Sequence, residues 1–491
     1  MSDKQFFGHP RGLATLFFTE MWERFSYYGG RALLILFMTA AIADGGLGMT
    51  AVTAAAIYGL YTAGVYFLGL PGGWVADRLV GQRNAVLMGG TLIAAGNFSL
   101  ATPGYPTFYL GLLLIVLGTG LLKPNVSAIV GDLYADDTDG GARRDAGFSI
   151  FYMGINVGAF VAPLICGYLG ETINWHLGFA AAGVGMVLGL IQYRFGYGYL
   201  RDAGLYRDEA RATRGEAIRK GLFGVAVVAL IAAAIAFAAR AGFLNVTLDG
   251  AARATGVLIF VVAVIFFGAV LIGGGLDLPE KKRVVVIFLL FVGAAMFWAG
   301  FEQAGSSMNL FAERLTDRNV FGWEVPASWL QSVNPLFIIA LAPVAGWLWV
   351  FLNNKRIEPP LPVKFGMGLV LLGLGFLVMA WGATYTVEGQ LVSPAWLIST
   401  YFLHTCGELS LSPVGLSSIT KLSPKRYVGQ MMGTWFMGAA LGNLVAGLVA
   451  GFFETLPLPL LFVRVAIAVI VAGLFFVVFY KPIRNQMGGV R

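Results

Sequence analysis

The run Glu20-Met21-Trp22-Glu23-Arg24-Phe25-Ser26-Tyr27-Tyr28-Gly29 decides how this chain is read. It lies in an otherwise apolar stretch, 12–42, long enough to cross a bilayer, which takes about 20 residues. Yet the stretch carries Glu20, Glu23, Arg24 and Arg31. A charge near the bilayer centre costs ~2.5–3.5 kcal/mol on the lower of the contested scales. At ~100° per residue, Glu20, Glu23, Arg24, Tyr27 and Arg31 fall on one helix face. Charges spread over about three turns cannot all snorkel to one interface. This face therefore looks into a wet protein interior rather than into lipid.

Composition agrees with a membrane setting. Of 491 residues, 58% are hydrophobic and 12% charged, and the mean hydropathy is +0.76, which excludes a soluble domain. Glycine is abundant, with 67 residues, as expected where helices pack closely in lipid. The short polar start, Ser2 to Arg11, and the length of the first apolar stretch give no expectation of a cleaved signal peptide. Cys166 and Cys406 lie in apolar segments and read as small buried hydrophobes rather than a disulfide framework. Three scattered histidines offer no metal site, and no cofactor is expected.

Apolar stretches at 12–42, 51–77, 84–102, 106–133, 145–170, 174–196, 221–241, 253–273, 283–313, 327–352, 362–383, 394–421, 426–455 and 458–481 predict fourteen transmembrane helices of an all-α polytopic protein. Alternate loops then differ in charge. One set, with Arg78, Arg83, Arg143, Arg144, the stretch 201–220, Lys281, Lys355 and Lys425, holds about 25 basic residues, and the other about four. The positive-inside rule puts both termini in the cytoplasm of a multi-pass protein of the inner membrane. It also accounts for the net charge of +7 without a nucleic-acid partner. Membrane lipid is the expected surrounding, and a monomer is expected to suffice.

The chain looks duplicated. Lys123-Pro124-Asn125-Val126-Ser127 followed by Phe151-Tyr152-Met153-Gly154 is echoed by Ser412-Pro413-Val414-Gly415-Leu416-Ser417 followed by Trp435-Phe436-Met437-Gly438. Aligning the halves leaves the helices near 221–241 and 253–273 unmatched. The expected organisation is a six-helix bundle over 1–200, a cytoplasmic linker with two inserted helices over 201–280, and a second six-helix bundle over 281–491. Two such halves around a cavity are the architecture of major facilitator transporters, whose sites lie near the midplane between repeats. Gly72-Gly73-Trp74-Val75-Ala76-Asp77-Arg78 to Arg83 resembles the loop motif of that superfamily and predicts a charge cluster of Asp77 with an arginine. Pro71, Pro124, Pro163, Pro335, Pro343 and Pro413 interrupt apolar helices at places where bending is possible. The inserted pair, with no buried charge, reads as a lipid-facing hairpin.

With the insertion left out, the deep ionisable residues fall on the first, fourth, seventh and tenth helices: Glu20, Glu23, Arg24 and Arg31, then Lys123, Glu302 and Glu408. Those are the cavity-lining helices of the major facilitator fold. Arg31 and Lys123 suit a carboxylate, and Glu302 and Glu408 an ammonium, so a small zwitterion such as an amino acid or short peptide fits. Asn156 and Asn334 offer amides for peptide groups, with helix-to-helix hydrogen bonding the other use of Asn156. Tyr27, Tyr28, Tyr66, Trp298 and Trp435 suit pockets for varied side chains, or helix packing. Nitrate would need no anionic partner, and a sugar or drug no opposed charge poles. No nucleophile–base pair supports an enzyme. There is no phosphate-binding glycine loop, so an ion gradient has to drive uphill transport. Carboxylates beside an arginine suit protons as the coupling ion, whereas sodium prefers a cluster of neutral oxygens.

At these residues the chain resembles the proton-dependent oligopeptide transporter family, the bacterial di- and tripeptide symporters with two extra helices. The motif at 20–29 carries the resemblance, together with Phe148-Ser149-Ile150-Phe151-Tyr152-Met153-Gly154-Ile155-Asn156, Leu122-Lys123-Pro124-Asn125, Phe301-Glu302-Gln303, Asn334-Pro335-Leu336 and Gly407-Glu408-Leu409. The resemblance implies that Glu20, Glu23, Arg24, Lys123 and Glu302 couple protons. It implies that Arg31 and Lys123 meet a peptide carboxylate, and that Asn156, Asn334 and Glu408 meet its amino end. Phe301 stands where some relatives carry a further glutamate, and His404 reads as structural.

Overall fold

The computed structural model describes residues 5–135, 142–206, 212–243, 245–386 and 389–489. It is almost entirely helical. In chain order the helices are α1 (Arg11–Thr39), α2 (Ala51–Phe67), α3 (Gly69–Val75), α4 (Gln82–Leu100), α5 (Tyr105–Asp132), α6 (Ala142–Ala162) and α7 (Trp175–Gly196). The inserted pair follows as α8 (Arg214–Arg240) and α9 (Leu248–Gly273). Then come α10 (Leu278–Phe301), α11 (Ser307–Leu315), α12 (Val333–Asn354), α13 (Leu361–Thr384), α14 (Ala395–Leu422), α15 (Val428–Ala450), α16 (Leu458–Val478) and the short α17 (Tyr480–Gln486). A two-residue hairpin, Asn319–Val320 with Trp323–Glu324, is antiparallel.

Among the described residues, eleven helical stretches are long and apolar enough to cross a membrane, not fourteen. α1, α4 and α14 are not among them, although each is long. α1 carries its four buried charges, α4 begins Gln82-Arg83-Asn84 and holds Asn97, and α14 holds His404, Glu408 and several hydroxyls. Helix ends also run past the apolar stretches. α8 starts at Arg214 rather than 221, because charged residues prolong a helix into water without cost. Asp277 caps α10: its Oδ1 accepts from Glu280 N at 2.7 Å, and Glu280 Oε2 accepts from Asp277 N at 3.2 Å.

Several helices are broken. α2 ends at Phe67 and continues as α3 and a π-helical turn, Ala76–Val80, beyond Pro71. α6 passes at Pro163 into a π-helical stretch, Pro163–Ile173. α10 stops at Phe301, and a 3₁₀ turn, Glu302–Gly305, leads into α11. Pro124 lies inside α5 and Pro343 inside α12. The side chains of Pro413, Val414, Leu416 and Ser417, which the repeat reading used, lie outside the described residues.

Contacts divide the chain into two units. One comprises Met1–Tyr27, Phe67–Gly158 and Phe179–Ala251, and the other Tyr28–Tyr66, Ala159–Gly178 and Ala252–Arg491. In the first, Leu16, Val86, Ile93, Leu122, Val126 and Met186 belong to one buried cluster. α4 and α5 approach so closely there that a methyl on Gly89 would meet Gly118 O at 2.6 Å, and one on Gly118 would meet Gly89 O at 2.5 Å. Such small-residue contacts serve where lipid leaves little hydrophobic force between helices. In the second unit, Ala252, Gly256, Ile259, Ala263, Phe267 and Val270 of α9 are buried at helical spacing, and Ala252 and Ile259 join a cluster with Ala56, Ala63, Ala440 and Leu444. α8 buries only Ala217. α8 is thus exposed along nearly its whole length, whereas the expected lipid-facing hairpin fails for one face of α9, whose small residues let it seat on α2 and α15.

The expected Asp77–arginine cluster does not form among the described residues. Asp77 Oδ1 accepts from Gln82 Nε2 at 3.5 Å. Arg83 is buried instead, with Nε donating to Ala203 O at 2.7 Å, Nη2 to Arg201 O, and its guanidinium 4.9 Å from the Tyr197 ring. A planar fork matches two carbonyls of one turn, which a lysine cannot. Arg83→Ala and Arg83→Lys are both expected to lower the midpoint of thermal unfolding in detergent by several degrees, because bonds from a charged donor contribute about 1.5–3 kcal/mol each. An unchanged midpoint in both variants would contradict this assignment.

Candidate functional site

In the first unit the charges of α1 satisfy one another. Arg24 Nε lies 3.2 Å from Glu20 Oε1 and also donates to Glu23 Oε2, and all three side chains are buried. Two carboxylates share one guanidinium, with the Tyr27 ring 5.2 Å from Arg24 Cζ. Among the described residues, Glu20 Oε2 and Glu23 Oε1 have no hydrogen-bond partner. A buried carboxylate oxygen without a donor is a place to hold a proton. Lys123, half-buried on α5 just before Pro124, is close enough to interact electrostatically with Glu20. Asn156 is buried on α6, and its Nδ2 donates back to Tyr152 O at 3.0 Å.

In the second unit Arg31 is the centre. Its Nη2 lies 2.8 Å from Glu302 Oε2, its Nε donates to Tyr58 Oη at 2.7 Å, and its guanidinium lies 5.5 Å from the Tyr28 ring. The break in α10 makes this possible. A methyl on Gly305 would lie 1.9 Å from Tyr58 Oη and 2.8 Å from Arg31 Nε, so glycine is needed for the three groups to meet. The turn is fixed by Gln303 Nε2 to Ala299 O at 3.1 Å and by Ser307 Oγ to Gln303 Oε1 at 2.8 Å. From α11, Asn309 Nδ2 donates to Ala32 O at 2.8 Å.

Glu408 is buried on α14, within electrostatic reach of Glu302. Asn334 Nδ2 faces it at 3.4 Å and donates to Thr405 Oγ1 at 2.9 Å. Trp298 sits edge-on to Phe301 at 5.5 Å, and its Nε1 has no hydrogen-bond partner among the described residues. Trp435 is buried with its ring against Gly415. Tyr66 packs beside the cluster that seats α9. His404 is buried between Phe376 and Phe301, with ring centroids 4.9 and 6.5 Å away.

The geometry is that of buried, paired charge on interrupted membrane helices. Three comparisons bear on it. The description PTR2, POT family, matches residues 83–461. The chain is 41% identical over 505 residues to the peptide transporter YePEPT of Yersinia enterocolitica subsp. palearctica serotype O:3 (strain YE-P4), covering 99% of this chain and 97% of that one. The chain belongs to the POT family. This POT protein is also 37% identical over 503 residues to the di-/tripeptide transporter of Lactococcus lactis subsp. cremoris, covering 100% and 99% of the two chains. Among solved structures, a peptide transporter POT in complex with sulfate matches with a TM-score of 0.91 at 42% identity, covering 99% of this chain and 98% of that one. It is thus a multi-pass membrane protein of a transporter family, and its relatives are transporters rather than enzymes.

The site residues expected from the sequence fall into two sets. Glu20, Glu23, Arg24, Tyr27, Lys123 and Asn156 belong to the first unit, and Tyr28, Arg31, Tyr66, Trp298, Glu302, Asn334, Glu408 and Trp435 to the second. Sequence reasoning missed Tyr58 and Gly305. The one signal for Tyr58 was a hydroxyl in an alanine-rich apolar run. Gly305→Ala is expected to lower the thermal midpoint, and Tyr58→Phe to reduce that loss by removing the oxygen nearest the new methyl. Additive losses in the double variant would show that the two residues do not meet.

Proposed function

We propose that this POT protein is a proton-coupled symporter that imports di- and tripeptides by alternating access. The observation that carries the reading is that the deep carboxylates are met in two ways: Glu20 and Glu23 by Arg24, and Glu302 by Arg31, are paired, while Glu408 is met by the neutral amide of Asn334. A carboxylate met by an amide rather than by a cation leaves room for a peptide ammonium beside it. A carboxylate held by an arginine changes its contacts when a proton arrives.

In this reading the protein has fourteen transmembrane helices in the major facilitator arrangement. One bundle spans 1–200, the linker and inserted pair 201–280, and the second bundle 281–491. Both termini lie in the cytoplasm and the protein works as a monomer in the inner membrane, with protons as the coupling ion and no cofactor. Protonation of Glu302 loosens its grip on Arg31. The peptide carboxylate then engages Arg31 and Lys123, its amino group meets Glu408, Asn334 and Asn156, and its side chains lie among Tyr27, Tyr28, Tyr66, Trp298 and Trp435. Glu20, Glu23, Arg24 and Lys123 pass the proton onward. Neutralising these charges lets the two halves rock from one side to the other.

Two substitutions test the roles in proteoliposomes. Lys123→Ala is expected to abolish uptake of a labelled dipeptide driven by an inward proton gradient while the protein stays folded. Full gradient-driven uptake by that variant would reject its role in coupling. Glu408→Ala should weaken peptides with a free amino group about tenfold or more, as a charge-assisted contact of ~1.5–3 kcal/mol is lost, and should leave N-acetylated peptides little changed. Equal losses for both would reject the ammonium assignment.

A further inference from the structure

The contacts joining Pro163–Ile173 to Ala327–Ser332 take no part in the peptide reading. Glu171 stands in the π-helical stretch, and its carboxylate accepts three hydrogen bonds: from Ala327 N at 2.7 Å, from Ser328 N at 3.0 Å and from Ser328 Oγ. Ala327 and Ser328 open a 3₁₀ helix, Ala327–Ser332, whose first amides lack partners within the helix. A carboxylate from a different helix therefore does what a capping side chain does locally. The seam continues on either side. Trp329 Nε1 donates to Leu164 O at 3.0 Å and Ser332 Oγ to Phe160 O at 2.8 Å. Gly167 has no side chain for a reason: a methyl there would lie 2.0 Å from Ser328 Oγ.

The partner segment is held ready. Arg318 Nη1 donates to Val325 O at 2.6 Å and Nη2 to Glu324 Oε1 at 2.7 Å, while Val325 N returns a bond to Arg318 O at 2.9 Å. This ties the hairpin Asn319–Glu324 into a rigid approach to Pro326 and aims the two amides. The bonds to Glu171 are charge-assisted, so they are strong together, yet all three are lost when one carboxylate moves away.

Resting on the alternating-access reading, we propose that Glu171 with Ala327 and Ser328 forms a second clasp, separate from Arg31–Glu302, that holds shut the end of the protein away from its basic loops and comes apart in each transport cycle. The test uses spin labels at Ile173→Cys and Val320→Cys, both exposed positions, after replacing the two native cysteines (Cys166→Ala and Cys406→Ala). The unmutated clasp is expected to give one short distance. In Glu171→Ala the ratio of long to short distances should rise about tenfold or more, the effect of losing more than one charge-assisted bond. Ser328→Ala, which keeps both amides, should shift the ratio the same way by less. An unchanged distribution in folded Glu171→Ala overturns the proposal, and if that variant fails to fold, an unchanged distribution in Ser328→Ala does so. The labels report without peptide. A lack of peptide uptake by the unaltered protein would defeat the substrate reading and leave the distance result standing.

Discussion

A charge inside a membrane-spanning helix has to be answered within the protein, and the rest of this structure depends on how that is done. Removing one member of a buried pair strands the other at a cost of about 3–5 kcal/mol. Arg24 is answered from its own helix by Glu20 and Glu23. Arg31, seven residues on, is answered from elsewhere in the chain by Glu302 and Tyr58. One helix thus carries a charge group paired within itself and a charge paired with a distant partner. The first lies within α1. The second joins α1 to the turn after α10.

The helix interruptions follow from the same demand. The turn Glu302–Gly305 brings its last residue against Arg31 and Tyr58, and because that residue is glycine no Cβ fills the space where they meet. Gln303 Nε2 donates back to Ala299 O and its Oε1 accepts from Ser307 Oγ, while Asn309 Nδ2 donates to Ala32 O of α1. Irregular backbone at this depth is tolerated where protein groups satisfy it. The π-helical stretch at Pro163 works in a related way, carrying Glu171 to a pair of amides that its own helix does not contain.

Much of this was legible from the chain alone, for definite reasons. Charges in an apolar helix are costly, so their presence at Glu20, Glu23, Arg24 and Arg31 pointed to a buried polar interior, and α1 has one. The family could be read from the same residues. Tertiary facts were not legible. Tyr58 is one tyrosine among several in its helix, and nothing local marks it as the partner of Arg31. Gly305 is one glycine of 67. Glu171 reads as an ordinary loop acid until Ala327 and Ser328 are brought to it. Asp77 was expected to meet an arginine of its loop, but the fork of Arg83 is taken by two backbone carbonyls, those of Arg201 and Ala203. Among the described residues α1 and α14 fall short of the apolar spans because their buried charges and hydroxyls lower their hydropathy.

The central claim is that buried, opposed charges in a membrane interior bind a small dipolar guest and move it with protons. Purified protein in liposomes, given labelled di- and tripeptides with and without an inward proton gradient and with free amino acid as competitor, tests it most directly. The account predicts peptide accumulation only when the gradient is present, undiminished by the amino acid. Accumulation indifferent to the gradient, or none for any peptide, would contradict it.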